Sequence, residues 1–190
     1  MCSPMKSLAR RLASVALGAL GRLNPRPIRR MVRDYLEFPA GDVTFNAFLT
    51  EFQQETDRAA AVLAAAFADE LLKALLAASF VDEIKVTQAV LDRDGAAATF
   101  SARIALTYAI GLIGADEADD LNRLRRIRND FAHQLHGLSF ATQRISDLAK
   151  AFRCVARIFR EHAQMRAEYP PEPRKLFDLA VGVLCHSLNK

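Results

Sequence analysis

The sequence predicts an all-α fold, an antiparallel helical bundle preceded by a basic N-terminal arm. Three observations carry that prediction. Apolar residues recur at steps of 3 and 4 along most of the chain, the spacing that lines one face of a helix. Alanine is abundant, tryptophan is absent and β-branched runs are few, which favours helix. No stretch shows the convincing alternation of a half-buried strand. The 190 residues are 51% hydrophobic and 25% charged, enough for one domain with a core plus an arm.

Residues 1–42 are read as the arm, helical or flexible. Within its first 40 residues, Lys6, Arg10, Arg11, Arg22, Arg26, Arg29, Arg30 and Arg33 outnumber Asp34 and Glu37. The net charge of +4 therefore belongs to the arm, and the remainder of the chain is slightly acidic. A basic isoelectric point of this origin says little about the globular part as a nucleic-acid binder. The apolar run Leu12 to Leu20 is far shorter than the ~20 residues needed to cross a bilayer. Behind Lys6, Arg10 and Arg11 it has the outline of a signal-peptide core, but arginines follow at once and no clear cleavage site stands out. The arm is read as an extension. Contact with an anionic membrane surface is one alternative, and a later start at Met31 is another. Asn24-Pro25-Arg26-Pro27 breaks it, and Pro39-Ala40-Gly41-Asp42 closes it.

Residues 43–168 are read as the bundle. Thr44 can cap one long helix, or a gently kinked pair, that runs to about Ser79, with Phe45, Phe48, Leu49 and Phe52 and then Ala59, Val62, Leu63, Ala66, Phe67, Leu71, Ala74 and Leu75 on its stripe. Between these groups the stripe carries Glu55 and Thr56. Val81 to Val90 reads as a short helix or an extended connection, and Asp92-Arg93-Asp94-Gly95 as a turn. Ala96 to Ile113 is apolar on most sides and reads as a central helix closed by Gly114 at its C′ position. Asp119 to His136 follows, with Leu121, Leu124, Arg128, Phe131 and Leu135 on one face. Gly137 ends it. Ser139 can cap a helix with Ile145, Leu148, Phe152, Val155 and Phe159 on its stripe, reaching about Arg166. Residues 169–190 are set apart as a stiff linker, Tyr169-Pro170-Pro171-Glu172-Pro173, and a short last helix from Leu176 to Leu188.

Three of these helices place a charge where the period calls for a hydrophobe: Glu55, Arg103 and Arg128. Charges on core faces must be paired. They are therefore expected to converge in a buried network with Asp57 and Arg58 nearby. Asn129 and His133 beside Arg128 permit a second, catalytic reading. A histidine can move protons in metal-free RNA cleavage, and an arginine can stabilise the phosphorane. Arg128 and His133 point roughly 140° apart with ~7.5 Å of rise between them, so such a site needs two copies facing across a dimer. Cys2, Cys154 and Cys185 have no metal-ligand spacing. An odd, scattered count suggests reduced thiols in a cytoplasmic chain without metal or cofactor.

Glu55-x-Asp57-Arg58, the string Phe100-Ser101-Ala102-Arg103-Ile104 and the string Arg128-Asn129-Asp130-Phe131-Ala132-His133 resemble the mannitol operon repressor (MltR-like) family. The likeness runs from about Phe45 to Arg166. It implies an all-helical bundle and a non-enzymatic regulator of transcription that acts through protein partners, or as a homodimer, rather than by reading DNA. No helix-turn-helix signal supports direct DNA binding. Arg128, Asn129 and His133 also resemble the Arg-x4–6-His motif of HEPN domains. That likeness implies, as the alternative, a dimeric metal-independent endoribonuclease of toxin type acting on RNA.

Overall fold

The computed structural model describes residues 52, 54–81, 83–92, 94–134, 136–162 and 172–188. The arm and the expected cap at Thr44 lie outside the described residues. The described residues form helices and turns and contain no strand. The helices are α1 (Asp57–Ser79), α2 (Ile84–Leu91), α3 (Phe100–Ala109), α4 (Ala115–His133), α5 (Gln143–Lys150), α6 (Arg153–Glu161) and α7 (Pro173–Ser187).

The polar pair Glu55-Thr56, which interrupts an apolar stripe in the sequence, is non-helical and marks the start of α1. Thr56 adopts φ −59°, ψ 158°, and its hydroxyl accepts the amide of Ala59 at 3.3 Å. This is the side-chain capping that threonine supplies at helix entries. Thr99 does the same for α3, accepting from Ala102 N at 3.2 Å.

α3 is shorter than the apolar run suggests, and it is not central. Arg103, Ile104 and Thr107 are buried, but Tyr108, Ile110 and Leu112 at its far end are exposed. Gly111, at φ 76°, takes the left-handed conformation that ends the helix. Gly114, expected in that role, instead begins α4, where its amide donates to the Glu117 carboxylate at 2.6 Å.

The centre of the bundle is α7. The sequence set this helix apart behind a linker; in the structure it is packed among α1, α4, α5 and α6. Leu176, Phe177 and every residue from Leu179 to Cys185 are buried, so the helix is covered on all sides. The missing side chain of Gly182 falls within this buried run. Phe177 meets Phe140 at 4.7 Å between ring centroids, Phe52 at 6.2 Å and Phe152 at 6.3 Å. α3 packs on α1 and α4, and α2 leans on α1.

Phe177 is fully buried within this aromatic group. Its truncation, Phe177→Ala, is expected to lower the unfolding free energy by about 3–5 kcal/mol, read from urea denaturation. A loss below about 1 kcal/mol would show that α7 is not the core helix.

Candidate functional site

Charged side chains enter the bundle chiefly at helix ends, where backbone amides and carbonyls lack partners within their own helix. Asp120 is the most buried of them, with 1% of its surface exposed. It projects from α4 toward the start of α6. Its Oδ1 accepts Arg153 N and its Oδ2 accepts Cys154 N, both at 2.8 Å, while Arg123 pairs with Oδ1 at 2.8 Å. A carboxylate from another helix thus caps α6, whose own cap residue, Phe152, has no side-chain acceptor. This explains a departure from the sequence reading. The stripe from Ile145 to Phe159 is divided into α5 and α6 at Ala151-Phe152, because the amides after the break are held by Asp120.

Arg174 forms a second node at the entry of α7. It bonds Asp57 Oδ1 at 3.1 Å, Asp178 Oδ1 at 2.9 Å, Phe52 O at 3.1 Å and Glu55 O at 3.4 Å. Its guanidinium lies over the rings of Phe52 and Phe140 at 5.4 and 5.6 Å. Asp57 also accepts Phe140 N at 2.8 Å. Arg58 donates to Phe131 O, and to Gln134 O at 2.6 Å, placing a cation at the C-terminal end of α4. Burial pushes the Asp178 carboxyl up to about 6, against the pull of Arg174.

The structure distributes the sequence-selected charges among different sites. Asp57 and Arg58 enter the contacts just described, and Glu55 joins them through its backbone carbonyl. The expected convergence of Glu55, Arg103 and Arg128 does not form. Arg103 is buried and pairs with Asp69 at 2.6 Å, a carboxylate the sequence reading overlooked, and it donates to Leu91 O and Ala98 O at 3.0 and 3.3 Å. Asp69 lies about four turns beyond Glu55, so the acid and the arginine meet farther along the helix than the motif suggests. Glu55 and Arg128 are half-buried, and neither side chain has an ion-pair partner among the described residues.

Arg128 donates to the amide oxygen of its neighbour Asn129 at 3.0 Å. His133 is exposed in the last turn of α4 and lines a hollow of about 310 Å³ with Asp130, Gln134, Leu138, Arg144 and Ile145. Neither Arg128 nor Asn129 lines that hollow. Asn129 and His133 lie one turn apart on the outward face of α4, and Arg128 lies off that face. Among the described residues no group of three His, Cys, Asp or Glu side chains is placed to hold a metal ion. Cys154 and Cys185 are free and buried, and burial raises both thiols far above their ordinary range. No helix among the described residues is long and apolar enough to cross a membrane.

The missed residues left only local signals. Arg174 and Asp178 have the i, i+4 spacing of a helical ion pair, and Asp120 lies one residue before the apolar Leu121. Sequence spacing does not reveal that Asp120 reaches α6.

Two outcomes test this framework. Asp120→Ala is expected to cost about 2–4 kcal/mol in chemical denaturation, because it uncaps α6 and strands Arg123, with Asp120→Asn losing less. Equal stability of all three proteins would remove the cap from the account. For Asp178, the folded state holds the proton more tightly than the unfolded chain. Its contribution to stability is full below about pH 4 and is lost as pH rises through about 6. Asp178→Asn should flatten that part of the stability–pH curve; a slope identical to wild type would assign the titration to another group.

The mannitol repressor family model matches residues 48–178. The match extends into α7, beyond the segment that carried the sequence resemblance. No curated protein matches the chain by sequence. Among solved structures, the chain is similar to one from the X-ray structure of the MtlR–HPr complex from Escherichia coli, with a TM-score of 0.60 and 20% identity. The similarity covers 76% of this chain and 99% of that one.

Proposed function

This chain belongs to the mannitol repressor family, and we propose that it is a non-enzymatic regulatory protein that acts by binding a protein partner. The partner we propose is an HPr protein. One observation carries the choice: the bundle has the fold of a protein solved as an MtlR–HPr complex, over nearly the whole length of that protein. The disposition of α4 supports the same reading. Its inward face is committed to the core, its C-terminal end to Arg58 and its Asp120 to the start of α6, while polar side chains occupy the outward face.

On this reading the arm is not a DNA-reading element, although it holds the excess positive charge. The site of action is the cytoplasm. Regulation follows from association: a partner that binds the folded bundle alters which other surfaces remain accessible. The catalytic alternative at Arg128, Asn129 and His133 gains no supporting geometry in the single chain.

Calorimetric titration of the full chain with HPr from the same organism tests the proposal. Saturable binding with a fixed stoichiometry is expected. A flat titration, by a chain that melts cooperatively and with HPr shown to be folded, would reject HPr as the partner.

A further inference from the structure

Five arginines of the described bundle are neutralised where helices meet. Arg103 has Asp69, Arg123 has Asp120, Arg144 has Asp130, Arg153 has Asp116 and Asp119, and Arg174 has Asp57 and Asp178. The outward side of α4 and the edge of its buried face depart from that pattern. Arg125 Nε is held by Asn122 Oδ1 at 3.4 Å, and Arg128 Nη1 by Asn129 Oδ1 at 3.0 Å. Arg126 is exposed, and none of the three has a carboxylate partner among the described residues. An amide orients a guanidinium without cancelling its charge.

Asn122, Arg126, Asn129 and His133 follow steps of 4, 3 and 4, opposite the buried Leu124, Ile127 and Phe131. This face borders a shallow cleft of about 850 Å³ between α4 and α5, lined by Arg126, Gln143, Arg144, Asp147 and Leu148. Arg144 is tied to Asp130 by two bonds at 2.7 and 3.0 Å, and Gln143 to Asp147 at 2.8 Å. The unpaired cation of the cleft is therefore Arg126, with the half-buried apolar side chain of Leu148 near it.

We propose that the outward face of α4 and the α4–α5 cleft form a docking surface for an acidic segment of a protein partner, with Arg125 and Arg126 receiving its carboxylates and Leu148 an apolar side chain. Charge complementarity selects the occupant. A nucleic-acid backbone carries the same sign of charge and is the competing occupant that the test includes. The proposal rests on the partner-binding reading above but assigns a surface and a chemistry that do not depend on HPr being the partner.

The test uses the full chain and a fluorescent peptide of alternating glutamate and leucine, read by anisotropy. Wild type should bind, with affinity falling as salt rises. Arg125→Glu/Arg126→Glu should weaken binding about tenfold or more, while Lys85→Glu/Arg160→Glu, with the same change in net charge, should have little effect. Thermal melts check folding; should the reversal unfold the chain, Arg125→Gln/Arg126→Gln serves instead, with a smaller loss expected. No peptide binding by wild type, or equal loss in the two double variants, would overturn the proposal. Tighter binding of a mixed-sequence single-stranded RNA through the same arginines would also overturn it. HPr binding in the absence of peptide binding would defeat this surface and leave the proposed function standing. Peptide binding dependent on Arg125 and Arg126 in the absence of HPr binding would do the reverse.

Discussion

Helix α7 presents Leu176, Phe177, Leu179, Val181, Val183 and Leu184 around its circumference, so no single neighbour can cover it. Water has to be excluded from every side, and only enclosure by several helices achieves that. α1, α4, α5 and α6 supply the enclosure. Each contributes one apolar stripe, which leaves its opposite side free to carry charge. The aromatic group around Phe177 joins residues far apart in sequence: Phe52, Phe140 and Phe152. The last of the described helices is thus the one on which the others pack.

Enclosure creates a second problem, because several helices then end against one another with backbone groups unsatisfied. Charged side chains from neighbouring elements solve it. Asp120 takes two amides of α6, Arg58 two carbonyls at the end of α4, and Arg174 two carbonyls ahead of α1. These contacts fix where helices begin and stop relative to one another, a role that apolar packing alone leaves loosely specified. They also make the buried charges mutually dependent: removing one partner leaves another without compensation, which costs more than the pair itself contributes.

The all-α class and most helices were legible in the sequence because the 3.6-residue period is a local property. The stripe from Ile145 to Phe159 was legible too, yet it hid the division between α5 and α6, since the apolar spacing continues through Phe152. That division depends on Asp120, more than 30 residues earlier in the chain. Arg103 was recognised as a charge on a core face, but periodicity does not identify its partner, and Glu55 was expected there in place of Asp69. Arg128 illustrates the converse error. It occupies a stripe position by spacing, but it lies at the edge of that face, half-buried and bonded to Asn129. The centrality of α7 was obscured by the proline-rich segment before it, whose composition resembles a linker whether or not the following helix is packed.

α4 separates the demands of folding from those of recognition. Leu121, Leu124, Ile127 and Phe131 are committed to the core, and Asp120 to the cap of α6. The outward positions face no such requirement, so their side chains can differ without disturbing the packing. Three arginines close together repel one another, but at a half-exposed surface this repulsion is weak and screened by salt. The fold therefore tolerates an uncancelled charge there that it could not tolerate beside Arg103. Asn122 and Asn129 matter in that setting because aspartate at either position could hold the same guanidinium while neutralising it. With asparagine, the arginines are restrained but remain charged. A surface of that kind loses less side-chain freedom when it meets a carboxylate, and it keeps the electrostatic attraction that brings the two together.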